Sequence, residues 1–212
     1  MPHPDLRLAI LGATGGIGGH LLTWALDAGH PVHALARSPQ ALPARAGLTV
    51  TLGDALDEAA VTEVIAGADA VLSALGPRGA KAPGLLAGAA SNTVSAMQKT
   101  GARRLICVSA AGAYITGDPN MNRLVKLVLP RVFAKPFADV RGMEDVIRES
   151  DLDWTLVRAT RLVNRPRSGQ YRASPDYPPP GGGKIARADV AHFIAAALTE
   201  GGWLRSAPAL AY

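Results

Sequence analysis

Apolar positions along the chain follow two alternating spacings. Short continuous apolar runs have the length and content of buried strands: "LRLAIL" (6–11), "PVHALA" (31–36), "LTVTL" (48–52), "DAVLSAL" (69–75), "RLICVSA" (104–110) and "DWTLVRA" (153–159). Between them, apolar residues recur at three- and four-residue intervals. Residues 16–29 carry Ile17, Leu21, Leu22 and Ala25 on one helical face and stop at Gly29. Helices are likewise predicted over 57–67, with acidic residues at its start, over 83–101 and over roughly 136–150. A last helix is predicted over 186–200, where Val190, Phe193, Ile194 and Leu198 share a face. Strand–helix alternation with short connections implies right-handed crossovers and a parallel sheet covered on both faces, a doubly wound α/β fold. The stretch 164–184 is rich in Pro, Gly and Ser and reads as loop with room for one short strand. No shift in composition divides the chain, so one domain over residues 1–212 is expected, with a small substrate-side cap from about 112–135 and 160–184.

Composition narrows the classes of function. With 48% hydrophobic residues the chain can build a core without staples. Its single cysteine, Cys107, excludes an internal disulfide and a cysteine-rich metal site, and its apolar run predicts a buried, inert thiol. No metal site is expected. The opening "MPHPD" leads straight into the first strand without a charged and apolar leader, and no run has a membrane-spanning length free of charge or glycine. A soluble cytoplasmic protein, with no membrane partner, is the expectation. The net charge of +5 comes mostly from scattered arginines, with few aromatics and no zinc-ligand spacing, which argues against nucleic acid. Arg158, Arg161, Arg165, Arg167 and Arg172 are concentrated locally. They read either as a site for an anionic substrate or as a solvated basic loop, with Arg158, nearest its strand end, the strongest candidate. His20 and His192 fall on predicted helices away from the strand ends and are expected to be structural, and His3, His30 and His33 have no partner pattern.

The segment "AILGATGGIGGHLL" (9–22) carries the clearest chemistry. Gly12, Gly15 and Gly18 follow a strand and open a helix, in the spacing G-x-x-G-x-x-G. The first permits a tight turn, the second lets the backbone approach a pyrophosphate, and the third lets the helix pack against the sheet; the helix N-terminus offers free N–H groups. Gly12, Thr14, Gly15, Gly16, Ile17 and Gly18 are therefore expected to hold a dinucleotide. The residue after the second strand chooses between cofactors: a carboxylate would bind the adenosine 2′-hydroxyl of NAD and repel a 2′-phosphate. Here "LARS" places Arg37 and Ser38 at that point, which predicts NADP (NADPH).

Taken in order, "GATGGIG", "ARS", "LGDALD", "DAVLSALG", "LICVSAAGAY", "GMEDVIRESDLDWTLVRA" and "IARADVAHFI" resemble the atypical NAD(P)H-binding branch of the short-chain dehydrogenase/reductase superfamily, which includes biliverdin reductase B, a flavin reductase. The resemblance covers nearly the whole chain and implies a Rossmann-type fold. It implies that Asp54 and Ala55 border the adenine, that Leu75 and Gly76 line the cofactor cleft, and that Ser109 faces the nicotinamide as cofactor contact and catalytic residue. Asp54 reads equally as a turn cap on its residues alone. Arg158 joins the expected cofactor contacts.

Two features depart from the wider superfamily. The usual Tyr-x-x-x-Lys pair is missing: the residues four after Tyr114, Tyr171 and Tyr177 are Asp118, Pro175 and Gly181, and Tyr212 ends the sequence. Relatives also carry a lysine or histidine where Val140 stands, and proline where Ala159 stands. Valine cannot move a proton, and the adjacent Arg141 points about 100° away on a helix and keeps its own proton. Three functions remain open. One is NADPH-dependent hydride transfer to a flavin-, quinone- or carbonyl-type small molecule. The others are a non-catalytic NADP-binding sensor and a tailoring reductase of secondary metabolism. A monomer and a small homo-oligomer are both compatible with the sequence.

Overall fold

The computed structural model of the protein describes residues 5–38, 42, 44–76 and 84–212. The six predicted strands form as β1 (Leu8–Leu11), β2 (Val32–Ala36), β3 (Leu48–Leu52), β4 (Ala70–Ser73), β5 (Arg104–Ala110) and β6 (Asp153–Ala159). The five predicted helices appear, within two residues at most described ends, as α1 (Gly16–Asp27), α2 (Glu58–Ile65), α3 (Leu85–Thr100), α5 (Ala134–Arg148) and α6 (Arg187–Thr199). The predicted start of α3 at residue 83 lies outside the described residues.

Four elements were not foreseen. A further helix, α4 (Arg123–Val132), has no buried residue: Leu124, Val125, Leu127, Val128 and Val132 recur at helical spacing but are exposed, and Pro130 stands inside the helix. Strands β7 (Arg161–Val163) and β9 (Lys184–Ala186) are only three residues long and pair in parallel with each other. The final strand β10 (Pro208–Ala211) is an alanine-rich tetrapeptide of weak strand preference. Its conformation comes from its neighbours: it lies parallel to β6 and antiparallel to β8 (Arg172–Pro175), the short strand allowed for in the loop region.

The main sheet runs β3-β2-β1-β4-β5-β6-β10-β8, parallel throughout except for β8. Its central strands are buried on both faces, which is why they read as continuous apolar runs. Ala9, Leu11, Val71, Leu105, Cys107 and Leu156 face the α2, α3 and α5 side. Leu8, Ile10, Leu72, Ile106 and Val157, the alternate residues, face α1 and α6. From β1 the chain winds outward to β2 and β3, then crosses back to β4, β5 and β6 on the other side. The switch point is therefore between the carboxyl ends of β1 and β4, where ligands of doubly wound sheets bind.

Candidate dinucleotide and hydride-transfer site

Gly12 follows β1 directly, with φ of +87°, and a Cβ there would lie 2.7 Å from the Ala74 carbonyl oxygen. Only glycine combines that dihedral with so close a neighbouring strand end. A Cβ on Gly18 would run into the Gly12 carbonyl oxygen, so Gly18 lets α1 start against the loop. Gly15 is the N-cap of α1, and its own N–H donates to the Gly12 carbonyl at 2.9 Å. The helix has no side-chain cap and no acidic residue in its first turn. By contrast, α2 is capped by Asp57, which accepts from Ala59 and Ala60. The open, positive end of α1 is thus available to an anion. Ile17 is buried beneath it. A groove of about 250 Å³ lies beside the loop, lined by Thr14, Gly15, Gly19, Thr23, Leu42 and Arg45.

At the end of β2, Arg37 and Ser38 are exposed. Among the described residues no carboxylate forms an ion pair with Arg37. Asp54, after β3, accepts from the Leu56 N–H at 3.0 Å and so serves as a turn cap. Ala55 is buried, and its carbonyl accepts from Asn92 on α3 at 3.1 Å. Leu75 packs against the core at the end of β4 and Gly76 is exposed beside it.

The other side of the switch point contains a cluster that sequence reasoning only half found. The Ser109 hydroxyl donates to Glu144 Oε1 at 2.5 Å. Arg158 Nε donates to the same oxygen at 3.0 Å and Nη2 to Oε2 at 2.7 Å, a forked pair in which both side chains are buried. Arg158 Nη1 donates to the Asp176 carbonyl at 2.9 Å, and the guanidinium sits 3.5 Å from the centre of the Tyr114 ring. The register places Ser109 opposite Arg158 on neighbouring strands, with α5 bringing Glu144 over both. Ser109 and Arg158 are therefore joined through Glu144. The fork and the bond to the Asp176 carbonyl together leave Arg158 two of its five N–H groups for any other partner.

Burial alone would push the Glu144 carboxyl up. The hydrogen bonds from Arg158 and Ser109 and the guanidinium charge outweigh it and hold the carboxyl below its ordinary value. Burial, followed by the negative charge of Glu144, pushes the Tyr114 phenol up to about 12. Val140 is buried in the core one turn before Glu144, and Arg141 donates to the Ala113 carbonyl at 3.1 Å. The remaining arginines of the concentrated stretch do not converge: Arg172 donates to the Pro180 and Tyr212 carbonyls, and Arg161, Arg165 and Arg167 are exposed. His30 accepts from the Leu6 N–H, His33 pairs with Thr51 and His192 with Tyr171, all away from the strand ends.

Glu144 had a signal in the sequence. It falls at core spacing with Val140, Met143 and Ile147, so a charge occupies a buried helical stripe, and Arg158 is the matching charge in an apolar strand. Tyr114 had none, because its single 3-10 turn follows β5 without periodicity. Among the described residues, no group of three or more His, Cys, Asp or Glu could hold a metal ion, and no helix is long and apolar enough to cross a membrane.

A family model described as NAD(P)H-binding matches residues 12–201. The chain belongs to this NAD(P)H-binding family. Its glycine loop, switch point and β5–β6 cluster all lie within the matched span. ChuY, an anaerobillin reductase from Escherichia coli, superposes with a TM-score of 0.81 over 97% of this chain and 96% of its own, at 24% identity. A wide-type short-chain dehydrogenase/reductase from Veillonella parvula, solved in complex with NADP, gives 0.79 over 98% and 94%, at 21% identity. These two likenesses establish the doubly wound, Rossmann-type fold. The isoflavone reductase homolog IRL of Zea mays is 34% identical over 80 residues, 33% of this chain and 26% of that protein. The curated relatives are matched over only 18% to 26% of their own length.

Proposed function

We propose that the protein is an NADPH-dependent oxidoreductase that passes a hydride to a flavin- or quinone-type small molecule. Family membership supports the dinucleotide, and Arg37 and Ser38, with no carboxylate at the end of β2, support NADP over NAD. On this reading the α1 N-terminus holds the pyrophosphate, Arg37 and Ser38 hold the 2′-phosphate, and Asp54, Ala55, Leu75 and Gly76 line the cleft. Ser109 is the residue beside the nicotinamide. The cap from 112–135 and 160–184 excludes water, in a single-domain cytoplasmic protein.

One observation carries the choice of acceptor. The groups around the β5 end are poor proton donors at neutral pH: the Ser109 proton is held by Glu144, the Tyr114 phenol is pushed up to about 12, and Val140 has no proton to give. NADPH supplies the hydride when bound. A flavin or quinone takes the hydride and then a proton from water, giving the reduced acceptor and NADP without a protein acid. A simple ketone reduced to an alcohol needs that acid more.

Stopped-flow or steady-state loss of NADPH absorbance with FMN, riboflavin and a quinone panel tests this. Turnover with at least one, and none with simple ketones, is expected. The same lack of an acid favours a second reading, a non-catalytic NADP sensor. Tight binding of both oxidised and reduced cofactor with no turnover on any acceptor would establish that reading instead. Turnover confined to ketones of aromatic intermediates would establish the tailoring reductase.

A further inference from the structure

Gly16 is not one of the three fingerprint glycines and does not have a positive φ. A Cβ there would nevertheless lie 2.5 Å from Arg187 Cδ and 3.0 Å from Arg187 Nε. Gly16 therefore makes room for the side chain of Arg187, the first residue of α6, which lies against the first residue of α1. There Arg187 Nη1 donates to Asn164 Oδ1 at 2.7 Å, just after β7. Among the described residues Arg187 forms no ion pair, and α1 offers no acidic residue in its first turn. A guanidinium beside the positive end of a helix, hydrogen-bonded among the described residues only to an uncharged amide, sets two positive features next to each other. An anion between them would satisfy both.

We propose that Arg187 is a phosphate clamp, which leaves Asn164 and closes from the α6 side over the pyrophosphate seated on the α1 N-terminus. The proposal rests on the dinucleotide reading above. A forked bond between two opposite charges replaces a single bond from the guanidinium to an uncharged amide oxygen, so the exchange is favourable only when the anion is present. Asn164 is the resting partner that holds the arm in place before binding. The arm grips the pyrophosphate common to NADP and NAD, whereas Arg37 reads the 2′-phosphate that only NADP carries.

Calorimetric titration of the full chain and its Arg187→Ala, Arg187→Lys and Asn164→Ala variants with NADP and with NAD tests the clamp. Arg187→Ala should weaken both ligands by a similar factor, about ten- to a hundredfold, with partial rescue in Arg187→Lys and an unchanged thermal midpoint without ligand. Asn164→Ala should bind as wild type or more tightly, because the arm no longer has a competing partner. A merely structural Arg187–Asn164 bond would weaken binding equally from either side, and that result overturns the clamp. So does Arg187→Ala binding within twofold of a wild type that binds well. A wild-type chain that binds neither ligand overturns the dinucleotide reading and the clamp with it.

Discussion

Replacing Glu144 with alanine removes the counter-charge of a guanidinium that is only 4% exposed. Arg158 would lose both arms of its fork, and the Ser109 hydroxyl its acceptor. Breaking a buried pair from one side typically costs about 3–5 kcal/mol, since the remaining charge is left in a poor solvent. The Asp176 carbonyl and the Tyr114 ring still engage Arg158, which places the expected loss near the lower end, at about 3 kcal/mol. For a chain of this length that corresponds to a fall in Tm of about 6–12 °C. Urea unfolding with linear extrapolation measures it directly. Glu144→Leu combined with Arg158→Met should be less damaging than Glu144→Leu alone, because no buried charge is then stranded; Arg148, which also pairs with Glu144 at 3.3 Å, still reaches solvent. A loss below about 1 kcal/mol, or strictly additive single and double variants, would refute the view that this pair is buried and coupled.

Three other predictions follow from the same geometry. Gly18→Ala should force the glycine loop away from α1 and abolish dinucleotide binding in a protein that still folds; binding within threefold of wild type would contradict the packing at Gly18. Glu144 and Asp189 are both held below the ordinary carboxylate value, Asp189 by hydrogen bonds from Tyr212, Gly169 and Ser168 that outweigh its desolvation. Their contribution to stability is complete above the unfolded carboxylate value, about pH 4, and is lost as pH falls through their lower folded values. Urea midpoints should therefore be level from pH 5 to 7 and drop steeply below pH 4, with a shallower drop in Asp189→Asn. Burial pushes the Cys107 thiol up to about 12, so it should resist a disulfide reagent at pH 8 in the native state and react fully in denaturant; rapid native labelling would contradict its burial.

The sheet is legible because its central strands β1, β4, β5 and β6 are buried on both faces, and their apolar runs do not depend on distant partners; the edge strand β3 reads from its β-branched and apolar residues alone. The glycine loop was legible because Gly12 and Gly18 respond to local geometry that few other residues tolerate. What escaped depends on tertiary context. Strand β10 is held by β6 and β8, and Asp139 on α5 caps the start of α3 through the Leu86 and Ala87 N–H groups at 3.1 Å, across more than fifty residues of chain. Ser109 and Arg158 could each be named, but not the carboxylate that joins them. Gly16 falls in the loop expected to hold a dinucleotide, but that its missing side chain also accommodates Arg187 from a distant helix is a relation that no local pattern encodes.

On the proposed function, the cleft over β1 and β4 selects NADP through Arg37. Fluorescence titration of the wild type and Arg37→Glu with NADPH and NADH tests it most directly. The wild type should bind NADPH at least about tenfold more tightly than NADH, the effect of one charge-assisted contact to the 2′-phosphate. Arg37→Glu should lose that preference, weakening NADPH strongly and NADH little. Equal binding of the two cofactors by the wild type, or equal weakening of both by the variant, would contradict the account.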